Sequence, residues 1–335
     1  MKKAIITGIA GQDGSFLAEF LLSKNYEVIG LAKKEFATSE NIANIQDKVQ
    51  IINGDVADFD SVLTTVKEIK PDEIYNLAAQ SFVADSWNNP SITAQCNALG
   101  PVNILESIKR ESPNTKFFQA STCEIFGKPK DSPQTEETAF HPITPYGIAK
   151  LYAHLMIETY RKNYGVFASC GILFNHESER RGKQFVTRKI SSSVASIKLG
   201  ILDHIELGNL NSQRDWGYAP DYVKGMYLML QQEKSDDFIL ATGKPVKVRD
   251  FCNIAFLTAG IEIEWQGSGL EEIGIDKKTG KTLVKVNPKF FRPTESNIYM
   301  GNPQKAETQL NWEREVSFEQ MVERMVQHDL DLLKK

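Results

Sequence analysis

Short runs of apolar residues alternate with longer amphipathic segments along the first half of the chain. The apolar runs are rich in β-branched and aromatic residues, as strands are, and the amphipathic segments have the spacing of helices. Six such runs separated by helical segments predict an α/β fold with a Rossmann-type, doubly wound parallel sheet. The strand candidates are residues 3–7, 27–31, 49–53, 73–77, 116–120 and 167–173. The helix candidates are residues 13–25, 58–70, 92–109 and 146–164.

The pattern becomes less regular after Phe174. We predict a Rossmann-type domain over residues 1–174 and a smaller, mostly C-terminal α/β lobe over residues 175–335. Since such lobes often take segments from both halves of a chain, parts of 175–335 are expected to return to the first domain. In this half, helices are predicted near 185–199, 219–232, 248–259 and 317–333, strands at 204–208 and 237–241, and Gly- or Pro-rich breaks at 267–280 and 290–295.

The composition is that of an ordinary globular protein, with 41% hydrophobic and 24% charged residues among 335. A formal net charge of −4 gives no electrostatic basis for binding nucleic acid or an anionic membrane surface. No apolar run approaches the ~18–20 residues of a membrane span or forms a signal peptide. Four scattered cysteines without a CxxC pair indicate reduced thiols and no metal site. We therefore expect a cytoplasmic protein.

Three glycines, Gly8, Gly11 and Gly14, lie between the first predicted strand and the first predicted helix. Glycine lets the backbone turn tightly and approach a pyrophosphate, whose charge then lies at the helix N-terminus. The same spacing also fits a glycine-rich turn that binds nothing. Its position in the first strand-turn-helix unit favours a dinucleotide cofactor.

The end of the second predicted strand is where the adenosine ribose of a dinucleotide would be bound. An NAD site usually has an acidic residue there, but this strand is followed by Lys33 and Lys34. Two cations suit the 2′-phosphate of NADP, although two solvated surface lysines are an equally simple interpretation of the residue types. Asp55, after the third strand, fits a position that contacts adenine.

A candidate catalytic group is formed by Thr122 at the end of the fifth strand and by Tyr146 and Lys150 in the next long helix. A spacing of four places Tyr146 and Lys150 on one helix face. An ammonium near the phenol favours the phenolate and lowers the pKa of the tyrosine. A hydroxyl, a phenol and a lysine beside a nicotinamide are the groups needed to move a hydride between a carbinol carbon and a cofactor.

The longest motif blocks identify a family. The chain resembles the extended short-chain dehydrogenase/reductase family, and within it the GDP-mannose 4,6-dehydratases. The blocks at 171–190 and 208–223 are the most specific. The resemblance rests on residues 7–22, 75–83, 119–128, 145–154, 171–190, 208–223, 236–243 and 290–295.

The resemblance implies a dehydratase in which Glu124 has a role that a simple reductase does not need. Tyr146 would deprotonate the sugar 4-hydroxyl while NADP+ takes the C4 hydride. Glu124 would abstract the acidified C5 proton and assist loss of water from C6, and the hydride would return to C6. The product is a 4-keto-6-deoxy sugar nucleotide, and NADP is regenerated in each cycle.

The resemblance also implies two sets of binding residues and a homodimer or homotetramer. The cofactor set comprises Gly8, Gly11, Gln12, Asp13, Gly14, Lys33, Lys34, Asp55, Val56, Leu77, Ser81, Tyr146, Lys150, His176 and Arg181. The set for the GDP-sugar substrate comprises Asn175, Val186, Lys189, Arg214, Arg292 and Glu295.

Two departures from the family pattern leave the sugar open. Lys33-Lys34 replaces the usual Arg-Arg, and Ile143 in PITPYG replaces an arginine. GDP-mannose is the expected substrate, with another GDP sugar such as a GDP-manno-heptose as the alternative. A sugar-nucleotide epimerase or reductase is a further alternative, which Glu124 beside Thr122 disfavours. A protein that senses a dinucleotide without turnover has no need of all four chemical groups.

Overall fold

The computed structural model describes residues 1–36, 39–291 and 299–334. It divides the chain into two compact units. Unit 1 comprises Met1–Phe174, Ala219–Ala241 and Gly301–Glu313, and unit 2 comprises Asn175–Tyr218, Thr242–Met300 and Arg314–Lys335. The first segment of unit 1 thus ends at Phe174, and two later segments return to it. The assignment of cofactor binding to 1–174 and of substrate binding to 175–335 remains a prediction.

The strands and helices have the following bounds, given in chain order. The strands are β1 Lys3–Thr7, β2 Glu27–Ala32, β3 Gln50–Asn53, β4 Glu73–Asn76, β5 Lys116–Ala120, β6 Ala168–Leu173, β7 His176–Glu177, β8 Ile205–Leu207, β9 Gln213–Asp215, β10 Gly217–Tyr218, β11 Phe238–Leu240, β12 Pro245–Lys247, β13 Ile263–Gln266, β14 Ile273–Asp276 and β15 Thr282–Val286. The helices are α1 Gln12–Ser23, α2 Phe59–Ile69, α3 Pro90–Ala94, α4 Gly100–Glu111, α5 Pro145–Tyr164, α6 Val186–Lys198, α7 Ala219–Leu230, α8 Val248–Thr258, α9 Gln304–Gln309 and α10 Phe318–Leu333.

Unit 1 is built on a seven-stranded parallel sheet in the order β11-β6-β5-β4-β1-β2-β3. Successive strand side chains point to opposite faces, so Ile5 and Ile6 of β1 belong to different apolar cores. The core around Ile6 includes residues of α1 and α7, and the core around Ile5 includes residues of α2, α4 and α5. Helices therefore cover both faces, which confirms the predicted doubly wound Rossmann-type fold.

The segment predicted as a helix over 92–109 is helical throughout, but it is not one regular α-helix. The structure has the short helix α3, a π-helical turn at Gln95–Leu99 and then α4. Pro101 lies in the first turn of α4, where its missing N–H is tolerated, but inside a continuous helix it would remove a hydrogen bond. The chain accommodates the proline by changing its helical pitch before it.

In the second half, one prediction needs correction and one is confirmed. The segment 267–280 was predicted as a break, but it contains a short 3-10 turn at Gly269–Glu271 and the strand β14. The strand predicted at 237–241 is β11, and it pairs in parallel with β6 at the edge of the large sheet of unit 1. Its apolar sequence indicated a strand but not the sheet to which it belongs.

Unit 2 has a four-stranded sheet in the order β13-β14-β15-β8, with two smaller pairs, β12-β9 and β10-β7. Its core includes Ile190 of α6, Phe251 of α8 and Met325 of α10. The four cysteines are free thiols. Within the part of the chain that the structure describes, no helix has the length and apolar character needed to cross a membrane.

Candidate active site

The glycine turn between β1 and α1 has the geometry of a phosphate-binding loop. Gly8 has a positive φ of 69°, and a Cβ there would lie 2.9 Å from the backbone nitrogen of Ala78. A Cβ on Gly14 would lie 2.3 Å from the carbonyl oxygen of Gly8. Only glycine fits these two positions, and the resulting close turn leaves the N-terminus of α1 free of side chains at Gly11, its N-cap.

Lys33 and Asp55, two predicted cofactor residues, form an ion pair in unit 1. Lys33 Nζ lies 2.8 Å from Asp55 Oδ2. The hydrogen bond to Asp55 raises the pKa of Lys33. Burial acts to raise the pKa of Asp55, but the bonds from Lys33 and from the backbone of Ala57 outweigh it and lower that pKa. Lys34 is exposed and begins a 3-10 turn, and it takes no part in the ion pair between Lys33 and Asp55.

Five further predicted cofactor residues follow the strands β1, β3 and β4 of unit 1. Gln12, at the start of α1, is buried and donates through Nε2 to Asp13 Oδ1 across 2.9 Å. Val56 is buried, and its carbonyl oxygen accepts from Asn103. The backbone N–H of Leu77 donates to the Thr7 hydroxyl. The remaining residue predicted here, Ser81, is exposed.

Thr122 and Glu124 lie on one short turn directly after β5. The Thr122 hydroxyl accepts a hydrogen bond from the backbone N–H of Glu124, across 3.2 Å, and so caps the 3-10 turn Cys123–Ile125. Thr122 is buried and Glu124 is half-buried. The cap fixes the backbone of Glu124 relative to the Thr122 hydroxyl.

The N-terminus of α5 packs against this turn. A Cβ on Gly147 would lie 2.7 Å from the carbonyl oxygen of Glu124, so only glycine allows this close approach. Thr144 caps α5 by accepting from the backbone N–H of Gly147 across 2.9 Å. The structure therefore brings the turn with Thr122 and Glu124 together with the first turn of α5, which carries Tyr146.

Lys150 lies one turn further along α5, below Tyr146. Its Nζ lies 5.8 Å from the centre of the Tyr146 ring and donates to the main-chain carbonyl oxygen of Ala120 across 2.9 Å. The residue is 3% exposed, and burial lowers its pKa to about 8. The lysine thus carries a positive charge in a desolvated place beside the phenol, where it favours the phenolate.

The predicted cofactor residues of unit 2, His176 and Arg181, flank a buried carboxylate. His176 and Glu177 form β7, which pairs with β10. Arg181 Nε lies 3.1 Å from Glu177 Oε2, and its guanidinium lies 3.6 Å from the centre of the Phe185 ring. The Thr187 hydroxyl also donates to Glu177, across 2.5 Å. Arg181 is therefore held in a fixed position by charge and by stacking.

Four of the predicted substrate residues lie in unit 2. The main-chain carbonyl oxygen of Asn175 accepts from the backbone N–H of Gly217. Val186 is the first residue of α6 and is exposed. Lys189 Nζ lies 4.1 Å from the centre of the Phe290 ring, and burial lowers its pKa. Arg214 lies on β9. The other two predicted substrate residues, Arg292 and Glu295, lie outside the described residues.

The sequence interpretation missed a group of buried polar residues at the ends of three strands. Thr7, Asn76 and Gln119 are the last or next-to-last residues of β1, β4 and β5. Each of the three residues follows an apolar run, and this repeated pattern of a polar residue after an apolar run could have indicated the group. Their hydrogen bonds to one another depend on the register of the sheet, which the sequence alone does not supply.

The fold and this site together define a protein of the short-chain dehydrogenase/reductase class. Solved structures with the same fold include dTDP-glucose 4,6-dehydratase from Bacillus anthracis in complex with NAD, with a TM-score of 0.81, 20% identity and coverage of 98% of this chain and 96% of that chain. RMD from Pseudomonas aeruginosa complexed with NADPH has a TM-score of 0.81 and 18% identity, and covers 99% of this chain and 100% of that chain.

Sequence comparison narrows the class. The profile of a family described as GDP-mannose 4,6 dehydratase matches residues 5–325. The GDP-mannose 4,6-dehydratase of Yersinia enterocolitica is 45% identical over 356 residues, which cover 100% of this chain and 95% of that protein. This chain belongs to the GDP-mannose 4,6-dehydratase family, and the resemblance seen in its motifs is confirmed.

Proposed function

We propose that this chain is an NADP-dependent 4,6-dehydratase that converts GDP-mannose to GDP-4-keto-6-deoxymannose. The observation that carries the proposal is the packing of the turn with Thr122 and Glu124 against the first turn of α5, the helix of Tyr146 and Lys150. Family membership supports the same reaction. A reductase needs a hydroxyl, a phenol and a lysine, and the additional carboxylate supplies the acid-base group that elimination requires.

The first half-reaction uses three of the four groups. The Tyr146 phenolate takes the proton of the sugar 4-hydroxyl, Lys150 favours that phenolate, and the Thr122 hydroxyl orients the same oxygen. A bound nicotinamide cofactor would accept the hydride from C4 and later return it to C6. The low pKa of Lys150, about 8, follows from burial and places its titration close to the working pH.

Elimination uses the fourth group. The 4-ketone acidifies the C5 hydrogen, and Glu124 removes that proton while the C6 hydroxyl leaves as water after receiving a proton from Glu124. One carboxyl group thus serves first as base and then as acid. Hydride return to C6 leaves an enolate that takes up a proton at C5, and this balances the proton that Tyr146 removed from the 4-hydroxyl, so no net proton is consumed. The half-buried position of Glu124 on a capped turn suits this exchange, because the backbone that carries the side chain is fixed and the side chain is reachable.

The cofactor site fits a dinucleotide. The backbone turn at Gly8 and Gly14 forms a cradle that a Cβ would fill, and a helix N-terminus lies behind it. The neighbours in fold are complexed with NAD in one case and NADPH in the other, so the choice depends on this chain's own residues. Lys33 and Lys34 favour the 2′-phosphate of NADP.

The nucleotide part of the substrate is assigned to unit 2. Lys189 on α6 and Arg214 on β9 supply cations for the diphosphate. Val186 is the first residue of α6, and Asn175 directly precedes β7. Arg292 and Glu295 complete the predicted set.

A related GDP sugar is a second candidate substrate because of one position. Ile143, 41% exposed, directly precedes the N-cap of α5 and replaces the arginine usual in the family. Its smaller apolar side chain removes several donors and leaves room for a larger C6 substituent. A GDP-manno-heptose has such a substituent on C6, and the elimination would still remove the hydroxyl group of C6.

A second copy of the chain is the proposed partner. Ile148, Tyr152 and Leu155 form an exposed apolar stripe along α5, and Ile92 and Leu99 on the neighbouring short helices are exposed as well. A stripe of this kind usually marks an interaction surface. A homodimer or homotetramer is therefore expected, and sedimentation of Tyr152→Asp against the wild type tests it. A cytoplasmic location stays a prediction from composition.

Turnover of GDP-mannose by the purified protein tests the function. The wild type with NADP should form a 4-keto product, and Tyr146→Phe should lose at least about a thousandfold in kcat because no other group takes the 4-hydroxyl proton. Tyr164→Phe, at the exposed C-terminal end of the same helix, is the matched control and should keep its rate. Turnover of a UDP or dTDP sugar with no turnover of GDP sugars contradicts the substrate assignment.

A further inference from the structure

Three buried polar side chains form a hydrogen-bonded row across the large sheet of unit 1. Thr7 on β1 is in register with Asn76 on β4, and Asn76 is in register with Gln119 on β5. Each is 1% exposed. Thr7 Oγ1 donates to Asn76 Oδ1 across 2.5 Å, and Asn76 Nδ2 donates to Gln119 Oε1 across 2.8 Å. We call these three residues the polar row.

The polar row ends on the carbonyl that holds Lys150. Gln119 Nε2 donates to the Ala120 carbonyl oxygen across 2.8 Å, and Lys150 Nζ donates to the same oxygen across 2.9 Å. The two donors occupy both lone pairs of this oxygen. The direction in which the carbonyl points is therefore set by Gln119 as well as by the lysine.

The other end of the polar row is the glycine turn. Thr7 directly precedes Gly8, and its hydroxyl accepts from the backbone N–H groups of Leu77 and Ala78, each across 3.1 Å. Because both of its lone pairs are occupied, the hydroxyl can only donate to Asn76. At the far end the Ala120 carbonyl can only accept. These two constraints orient both amides, so every donor in the row points toward Ala120.

We propose that the polar row positions Lys150 for catalysis and links it to the glycine turn. The inference rests on the proposed function in that it takes Lys150 as the group that favours the Tyr146 phenolate. The row is neutral, so it fixes the place of the ammonium without adding a counter-charge that would hold the proton on the lysine. A cofactor bound at the glycine turn and the catalytic lysine then share one rigid set of hydrogen bonds.

Gln119→Met tests the row through activity, because it keeps the shape and removes both hydrogen bonds. We expect kcat to fall by about 10–100-fold, with KM for GDP-mannose and Kd for NADP within about threefold of wild type. Thr115→Val is the matched control, because it also deletes buried hydrogen bonds, at the opposite end of β5, to Pro71 and Ser112. A kcat within about twofold of wild type in Gln119→Met, or an equal loss in Thr115→Val, overturns the proposal.

A titration that needs no substrate keeps this test separate from that of the proposed function. With Gln119 removed, Lys150 has the Ala120 carbonyl to itself, so its ammonium is better stabilised and its pKa rises. NMR titration of isotopically labelled lysine side chains measures this, with Lys150→Met to assign the signal. An unchanged pKa of Lys150 in Gln119→Met contradicts the proposed role of the polar row. Absence of GDP-sugar turnover in the wild type contradicts only the proposed function.

Gln119→Glu is the second variant should the methionine variant fail to fold. A protonated glutamic acid accepts from Asn76 and donates to Ala120, whereas the ionised form cannot donate. The ratio of its kcat to that of wild type should therefore fall as the pH rises. A ratio that does not change with pH overturns the proposal.

Discussion

Lys150 donates a hydrogen bond from Nζ to the Ala120 carbonyl oxygen across 2.9 Å, and burial of this lysine lowers its pKa to about 8. A charged lysine in such a place costs stability, since a carbonyl replaces only part of the lost hydration. In the proposed mechanism the charge of Lys150 acts on Tyr146, one helical turn away. The buried ammonium of Lys150 therefore lowers the stability of the fold at a position where the proposed reaction uses its charge.

Lys150→Met should stabilise the cofactor-free protein while it removes activity. At pH 7 the free energy of unfolding is expected to rise by roughly 1–3 kcal/mol. Between the folded pKa of about 8 and the ordinary value of 10.5, the unfolded chain binds more protons than the folded one. The stability of the wild type therefore rises with pH across this window, and the advantage of Lys150→Met shrinks. Urea unfolding at pH 7 and pH 10 measures both, and an advantage that does not change with pH contradicts the assignment.

Glu124→Gln should separate oxidation from elimination. The amide keeps the size of the side chain but cannot take the C5 proton, so the C4 hydride still leaves while dehydration falls by more than about a hundredfold. Solvent deuterium exchange at C5, followed together with product formation, distinguishes the two steps. Glu137→Gln, an exposed residue of the same unit, is the control. Dehydration within about tenfold of wild type, a ~1.4 kcal/mol effect, shows that Glu124 is not the base.

The wild type should bind NADP more tightly than NAD. Replacing Lys33 and Lys34 together by Ala should weaken NADP selectively, by roughly 1–3 kcal/mol. The effect on NAD should be small, although the Asp55 carboxylate loses its ion-pair partner. Isothermal titration with both cofactors measures this, and Lys48→Ala, an exposed lysine before β3, is the control. Equal affinity of the wild type for the two cofactors rules out the assignment.

Ile143→Arg should narrow the choice of sugar. Restoring the family's arginine adds donors and volume beside the N-cap of α5. The ratio of kcat/KM for GDP-mannose to that for a GDP-manno-heptose should therefore rise by about tenfold. If Ile143 only packs against the protein, the ratio stays as in wild type.

Local patterns were sufficient where the chemistry is local. The glycine spacing that indicates the turn lies within one strand-turn-helix unit, and the spacing of Tyr146 and Lys150 on α5 needs only the helical repeat. The doubly wound sheet follows from the alternation of strands and helices.

The sequence did not supply what residues distant along the chain decide. The sequence at 237–241 correctly indicates a strand, but not that β11 joins the sheet of unit 1 beside β6. A local detail was also missed, since the pattern at 92–109 indicated a helix but not the π-helical turn before Pro101. Likewise, the contact between Gln119 and the carbonyl that holds Lys150 follows from strand register and from the packing of α5.

Transfer of a label within one sugar tests the central claim most directly. GDP-mannose that carries deuterium at C4 would be incubated with the purified protein and NADP, and the product would be examined by mass spectrometry and NMR. A 4,6-dehydratase moves that deuteride from C4 to C6 of the same product, with no net reduction of the cofactor. Label found at C6 of a 4-keto-6-deoxy product is the expected result. Label kept at C4, as in an epimerase, or label found in accumulated reduced cofactor, as in a simple dehydrogenase, would contradict the claim.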